Sequence, residues 1–246
     1  MNLLLDIGNT LTKWRLVGDS ADAQGFAPRA DLQQMLQDIA TEHAPLGVWV
    51  SSVAGQDVES DLAALVDSLW QLQPWFARTQ ESALGLQNSY QQPERMGVDR
   101  WLGMMAAWKQ AHSAVCVVDA GSALTIDFVS TSGEHLGGYI LPGIDSMERA
   151  LLSDTDRVRF GEAARDQLEP GASTESAVYN GLLLSQAGAV AMALHRVRGD
   201  FGLIFTGGNG ELLHQSLRLG GEYVPNLVLD GLNMLGIEQA EHWGER

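Results

Sequence analysis

The opening of this chain occurs twice. Residues Asn2 to Asp6 read as a buried strand that stops at an aspartate. Ile7-Gly8-Asn9-Thr10 then turns, and Leu11 to Val17 reads as a second strand closed by Gly18-Asp19. Further on, Val115 to Val118 is another buried run ending at Asp119, Ala120-Gly121-Ser122 turns, and Ala123 to Val129 leaves as a strand. Asp6 matches Asp119, Gly8 matches Gly121, Asn9 matches Ser122 and Thr12 matches Thr125, all at a spacing of 113 residues. Asp-x-Gly turns are common in hairpins, but four matches in matching apolar context point to duplication. A chain carrying two copies of one strand-turn-strand unit is directed towards a fold of two similar halves.

The rest of the pattern fills both halves as α/β. Asp31 to Thr41 has helical spacing at Leu32, Met35, Leu36 and Ile39, Gly47 to Val53 reads as a strand, and Val58 to Trp70 is amphipathic. A helix is expected over Val98 to Ala111, with the boundary just beyond it, giving halves 1–112 and 113–246. In the second half Gly137 to Leu141 reads as a strand and Ser173 to about Arg198 as a long helix. Phe201 to Thr206 is a strand, Asn209 to Leu217 a helix, Leu227 to Leu229 a last strand, and the chain from Leu232 a last helix. At 246 residues and 45% hydrophobic content there is enough chain to bury such a core.

Charge narrows the partners. The formal net charge is -16, and Lys13 and Lys109 are the only lysines. Affinity for nucleic acid comes largely from lysine and arginine on phosphates, so no nucleic-acid partner is expected. A phosphorylated small molecule would have to be held by backbone amides, metal ions and a few placed cations. Asp6 interrupts the opening apolar run and no basic region precedes it, so a secretory signal is not expected. No run reaches the roughly 18–20 apolar residues of a membrane span, which predicts a cytoplasmic protein without membrane contact. Cys116, the single cysteine, sits in an apolar run and reads as a core thiol. The six histidines show no metal-ligand spacing, and Trp101 and Trp108 read as packing residues on one helix face.

Four motifs carry chemistry. In Asp6-Ile7-Gly8-Asn9-Thr10-Leu11-Thr12-Lys13 a glycine turn brings backbone N–H groups close to an anion, with donors from Asn9, Thr10 and Thr12 and charge from Lys13. Asp6, at a strand end, suits Mg²⁺, which prefers oxygen ligands and keeps waters. Asp119-Ala120-Gly121-Ser122-Ala123-Leu124-Thr125 offers a second carboxylate and more hydroxyls. Thr206-Gly207-Gly208-Asn209-Gly210-Glu211 follows a strand and opens a helix, as a turn pressed against a flat ligand or an anion would. Gly97-Val98-Asp99-Arg100 follows Tyr90 and Pro93. There Asp99 is either a helix cap or a general base, and Arg100 either a surface charge or a clamp on a substrate carboxylate. Neither a Walker loop nor a Rossmann fingerprint is present.

With these motifs in order, the chain resembles the type III pantothenate kinases of the actin/Hsp70/sugar-kinase superfamily. They open with D-x-G-N-T/S, here Asp6 to Thr10, then carry a tyrosine and P-x-x-x-G-x-D-R, here Tyr90 and Pro93 to Arg100. D-x-G-T-A-x-T follows as Asp119 to Thr125, G-G-x-I-x-P-G as Gly137 to Gly143, and T-x-x-[AS]-[IV] as Thr174 to Val178. Ser122 departs from the usual threonine, keeping the hydroxyl and losing the methyl. The resemblance implies two ribonuclease-H-like halves with mixed sheets flanked by helices and an ATP cleft between them. It also implies a homodimer, ATP with Mg²⁺, a monovalent cation such as K⁺ or NH₄⁺, and the first step of coenzyme A synthesis. By resemblance, Asp6, Ile7, Gly8, Asn9, Thr10, Leu11, Thr12 and Lys13 hold ATP phosphates and Ser122 touches ATP. Asp99 is the general base, Asp119 ligates the monovalent cation, and Tyr90, Gly97, Val98, Asp99, Arg100 and Thr174 hold pantothenate. Two other readings stand beside this one: a kinase of the same superfamily acting on another small molecule, and a nucleotide-binding relative without turnover. Retention of Asp6, Asp99, Arg100 and Asp119 speaks against the second.

Overall fold

The computed structural model describes residues 1–18, 23–154 and 168–244. By contact the chain forms two compact units, Met1–Ala106 with Leu227–Arg246, and Ala107–Asn226. The division falls inside a helix rather than after it. The C-terminal helix also groups with the first unit, whereas the expected halves were continuous in sequence.

The first unit is built on β1 (Asn2–Ile7), β2 (Leu11–Val17), β3 (Gln24–Pro28), α1 (Leu32–Glu42), β4 (Gly47–Ser52), α2 (Gln56–Trp70) and β5 (Trp75–Phe76). A small hairpin, β6 (Ser82–Ala83) with β7 (Leu86–Gln87), and the helix α3 (Val98–Ala111) follow. The sheet order is β3-β2-β1-β4-β5, with β1 antiparallel to β2 and parallel to β4. Alternation along β1 sends Leu3, Leu5 and Ile7 into a core with Met35, Leu36 and Ile39 of α1 and Leu62 and Val66 of α2. Asp6 therefore shares the opposite face with Leu4.

The second unit contains β8 (Val115–Ala120), β9 (Ala123–Val129), β10 (His135–Pro142), α4 (Ile144–Asp154), α5 (Thr174–Val197), β11 (Gly202–Thr206), α6 (Gly210–Leu217) and β12 (Glu222–Tyr223). Its sheet order is β10-β9-β8-β11-β12, and β8 is antiparallel to β9 and parallel to β11. Strand for strand this is the arrangement of the first unit, so the duplication read from the opening motif extends to two whole mixed sheets. One detail of the match changes. Asp6 pairs with Lys13, but Asp119 pairs with Thr125, because the second turn is one residue shorter. The structural counterpart of Thr125 is thus Lys13, and that of the buried Thr12 is the buried Leu124.

The last helix, α7 (Leu227–Gly244), corrects the final strand of the sequence reading. Leu227-Val228-Leu229 is its first turn, and the last strand lies earlier, at β12. A short apolar run has no period of its own to separate strand from helix. Here it continues the burial of Leu232 and Leu235 at helical spacing. In the first unit α7 packs on β1 and β4, with Gly236 laid against the Trp49 ring.

The helix α5 begins where expected. Ser173 accepts from the Ser176 N–H at 3.2 Å, and the Ser176 hydroxyl accepts from the Ser173 N–H at 3.0 Å, closing a capping box. Leu183, Ala187, Val190 and Ala193 enter the core of the second unit. Against the expectation that no run would be apolar enough to span a membrane, α5 is by length and composition the one helix among the described residues that qualifies, because small and apolar residues fill both its core-facing and its outer sides. Leu184 and Met192 on its outer side are more than half exposed. The edge strand β10 exposes Leu136, Tyr139 and Ile140, and the last two line a groove with Met192. Trp101 is fully buried, and Trp108 lies under the Lys109 ammonium at 5.1 Å. Burial pushes the Cys116 thiol far above its ordinary value, as suits an inert core residue.

Candidate active site

The first unit gathers most of the sequence-predicted residues. Asp6 lies one residue before the end of β1, paired with Lys13 on β2 and Ser51 on β4. The Ser51 hydroxyl donates to Asp6 Oδ1 at 3.0 Å. Burial raises the Asp6 carboxyl from its ordinary 3.8 to about 6. The Ser51 hydrogen bond opposes that, the Asp99 charge adds to it, and Lys13 pulls the other way. Two carboxylates from different elements thus feel one another, and Lys13 offsets the charge on Asp6.

Past Asp6 the chain turns tightly. The Gly8 N–H donates to the Leu11 carbonyl at 3.0 Å, and a Cβ on Gly8 would stand 3.0 Å from the same oxygen. Asn9, Thr10 and Leu11 are exposed at the tip, where their polar groups can meet a ligand. Thr12 is not. Its side chain is fully buried, and Oγ1 has no hydrogen-bond partner among the described residues. The sequence counted its hydroxyl among the donors because strand parity does not show which side is covered.

Asp99 and Arg100 open α3. Asp99 Oδ1 accepts the Arg100 N–H at 2.8 Å, so the capping reading of this carboxylate is realised in part. A Cβ on Gly97 would stand 2.5 Å from Asp99 Oδ1, which accounts for glycine at that position. Arg100 is 8% exposed and donates through Nη1 to the Tyr90 hydroxyl at 3.0 Å, with its guanidinium 5.7 Å from the Tyr90 ring centre. This is no free surface charge. Tyr90, Gly97, Val98, Asp99 and Arg100 form one local cluster, with Val98 buried beneath it.

In the second unit Asp119 occupies the place Asp6 has in the first, paired with Thr125 on β9 and Thr206 on β11. The Gly121 N–H donates to the Ala123 carbonyl at 2.9 Å, and the Ala120 carbonyl accepts the Asn209 N–H at 2.9 Å. This ties the Gly207-Gly208-Asn209 turn to the Ser122 hairpin. Gly207 has φ of +86°, and a Cβ there would strike the Asp119 carboxylate. Gly143 presses on the Gly121 and Ser122 carbonyls and donates to the latter at 3.2 Å. The Tyr223 hydroxyl donates to the Gly207 carbonyl at 3.2 Å. Burial pushes its phenol upward, with Glu211 and Asp119 adding to the effect. Thr174 is the exposed first residue of α5. Among the described residues no group of three or more His, Cys, Asp or Glu side chains is arranged to hold a metal ion.

The sequence reading missed Ser51 and Tyr223. The signal for Ser51 was present: Ser51-Ser52 ends the apolar run of β4 as Asp6 ends that of β1. Tyr223 lay in a two-residue strand too short to announce itself.

Comparison with known proteins decides the family. The model of the type III pantothenate kinase family matches residues 2–196. The chain belongs to that family. A type III pantothenate kinase of Marinobacter nauticus is 37% identical over 96% of this chain and 98% of its own length. One of Nitrosomonas eutropha is 35% identical over 95% and 93%. The resemblance drawn from the motifs is therefore borne out across nearly the whole chain. Solved structures agree on the fold. A protein described as a Baf-family transcriptional activator of Campylobacter jejuni aligns at 22% identity and a TM-score of 0.64, covering 97% of this chain and 99% of its own. A 2-dehydro-3-deoxygalactonokinase protein of Sinorhizobium meliloti aligns at 17% and 0.56, covering 97% and 99%. At such identities these two speak for the fold alone, two mixed sheets flanked by helices.

Proposed function

We propose that the chain transfers the γ-phosphoryl group of ATP to the primary hydroxyl of pantothenate, the first step of coenzyme A synthesis. The observation that carries this reading is the cluster at the start of α3. A nearly buried Arg100, braced by the Tyr90 hydroxyl, stands next to the Asp99 carboxylate. A braced guanidinium is suited to the carboxylate of pantothenate, and a neighbouring carboxylate to its hydroxyl. Phosphoryl transfer passes through a loose transition state, so positioning and charge neutralisation contribute most. Asp99 orients the acceptor hydroxyl and takes its proton late. Gly97 and Val98 belong to the acceptor site, and the turn from Asp6 to Lys13 holds the ATP phosphates, with the buried Thr12 side chain serving the fold and not the ligand. Of the second unit's residues we assign Ser122 to ATP and Thr174 to pantothenate.

Two ions belong to this reading. Asp6 supplies one carboxylate oxygen ligand at a strand end, which suits Mg²⁺, since that ion is commonly held by one or two carboxylates together with substrate phosphates. Mg²⁺ there would neutralise developing phosphate charge. At Asp119 we assign as donors the carboxylate and the oxygens of the Ala120-Gly121-Ser122 turn that follows it. That all-oxygen set suits K⁺ or NH₄⁺, and the acidic chain gains by neutralisation at both places. We further read the enzyme as a cytoplasmic homodimer whose partners are its two substrates, with neither nucleic acid nor membrane among them.

The test is phosphorylation of pantothenate by the purified chain with MgATP, measured with and without K⁺, beside a panel of other hydroxyl acceptors. Turnover confined to pantothenate is expected. Preference for another acceptor would reassign the substrate, and nucleotide binding without turnover on any acceptor would remove the enzyme reading.

A further inference from the structure

We propose that Ser51 is a positioning residue for nucleotide binding: its buried hydroxyl fixes the Asp6 carboxylate in the orientation that receives the magnesium of MgATP. This rests on the reading of Asp6 above and extends it to a residue that no motif contains.

The argument starts from strand geometry. β1 and β4 are parallel neighbours in the middle of the sheet, and their register sets Ser51 beside Asp6. Side chains at paired positions stand on the same face. Ser51 is fully buried, and its Oγ donates to Asp6 Oδ1 at 3.0 Å. A buried hydroxyl has one proton to give and is normally found giving it. Here it gives it to the carboxylate, which leaves Oδ2 to meet a ligand. The adjacent serine has a different task. Ser52 points to the other face, where its Oγ accepts the Ala54 N–H at 3.2 Å and shapes the turn into α2. Two successive serines thus divide between holding Asp6 and turning the chain.

Lys13, the other group favouring the Asp6 anion, acts from the end of a long flexible side chain. Ser51 is short and rooted in a central strand, so it can set direction as well as charge. The duplication adds a second, independent line. In the other unit the residue paired with Asp119 across the parallel strands β8 and β11 is Thr206, again a buried hydroxyl residue. Both halves set a hydroxyl on the next parallel strand beside the strand-end aspartate.

The experiment is equilibrium binding of a non-hydrolysable ATP analogue to the full chain, in Mg²⁺ and in EDTA, for wild type, Ser51→Ala, Ser51→Cys and Ser51→Thr. The cysteine variant fills the same buried space with a weak donor, so it carries the test if the alanine variant does not fold. Removing a hydrogen bond to a charged group predicts about tenfold weaker binding in Mg²⁺ for the alanine and cysteine variants. In EDTA their affinity should stay within about twofold of wild type, and Ser51→Thr should lose less than about threefold in Mg²⁺. Undiminished Mg²⁺-dependent binding in both hydroxyl-free variants overturns the proposal. So does an equal loss with and without Mg²⁺, which marks general packing, or a wild type whose affinity ignores Mg²⁺. A wild type that binds MgATP but phosphorylates no pantothenate removes the proposed reaction and leaves these binding results to judge Ser51 alone.

Discussion

Asp99 has two roles to reconcile, since its Oδ1 accepts the Arg100 N–H while the proposed chemistry needs a carboxylate oxygen for the acceptor hydroxyl. A carboxylate has two oxygens and about four acceptor positions, so accepting the Arg100 N–H is compatible with also accepting from the acceptor hydroxyl. Asp99→Asn keeps the cap acceptor and loses the base, so kcat should fall by about 10²–10⁴-fold while ATP-analogue binding and thermal stability hold. A variant with near-wild-type kcat would exclude Asp99 as base. Gly97→Ala tests position instead of charge, because its Cβ intrudes on Asp99 Oδ1. A loss approaching about 10²-fold in kcat is expected with the carboxylate still present. Asp6 gives a prediction of opposite sign for stability. Its folded value of about 6 lies above the ordinary 3.8, so between those values the folded chain binds the proton more tightly than the unfolded one. Stability therefore falls as pH rises through that window, and the charged carboxylate is a net cost above it. Asp6→Asn should stabilise the metal-free, nucleotide-free protein at pH 7.5 by about 1–3 kcal/mol while abolishing activity. The gain in melting temperature should vanish near pH 4, and a destabilised variant at pH 7.5 would contradict the burial argument.

At the scale of elements, the second hairpin and the third glycine turn behave as one device. Gly207 stands where any side chain would displace the Asp119 carboxylate, and Tyr223 holds its carbonyl from β12. If Asp119 ligates K⁺ or NH₄⁺, Asp119→Asn and Gly207→Ala should both abolish activation by K⁺ over Na⁺. Asp119→Asn should leave the melting temperature nearly unchanged, whereas Gly207→Ala should cost about 1–3 kcal/mol for its left-handed backbone. Equal rates in Na⁺ and K⁺ for the wild type would dismiss the ion. The strand-turn-strand units, α3 and α5 were legible in the sequence because each has a clean period, an aspartate or serine at its edge and glycine in its turn. Three kinds of feature were not. Edge strands of two residues, β5 and β12, carry too little pattern to be read. The apolar start of α7 was ambiguous until its partners were known. Side-chain direction at the hairpins was hidden as well, because one deleted turn residue shifts the strand that follows. Thr125 thereby moved opposite Asp119 and away from Thr12 as its match.

For the whole molecule, the apolar residues left outside decide what it does in solution. Along α5 there are more apolar positions than one core-facing stripe requires. In the second unit the surplus is exposed as Leu184 and Met192, and the edge strand β10 exposes Leu136, Tyr139 and Ile140. Between strand and helix runs a groove of about 330 Å³ lined by Tyr139, Ile140, Leu141, Ala189, Met192, Ala193, Ile126 and Arg196. Clustered apolar exposure at an unpaired strand edge is costly for a monomer, and an isologous second copy would cover edge and helix together. Thr174 begins the same helix, so a partner on α5 would also steady the start of the helix that we assign to pantothenate. The double variant Ile140→Glu/Met192→Glu places charge on this face without touching any residue assigned to catalysis. It should sediment as a monomer, keep its fold by circular dichroism, and lose activity mainly through a raised KM for pantothenate. Wild-type specific activity should likewise fall on dilution below the dimer dissociation constant. A wild type that is monomeric and fully active at assay concentration would mean that this apolar face serves something other than self-association.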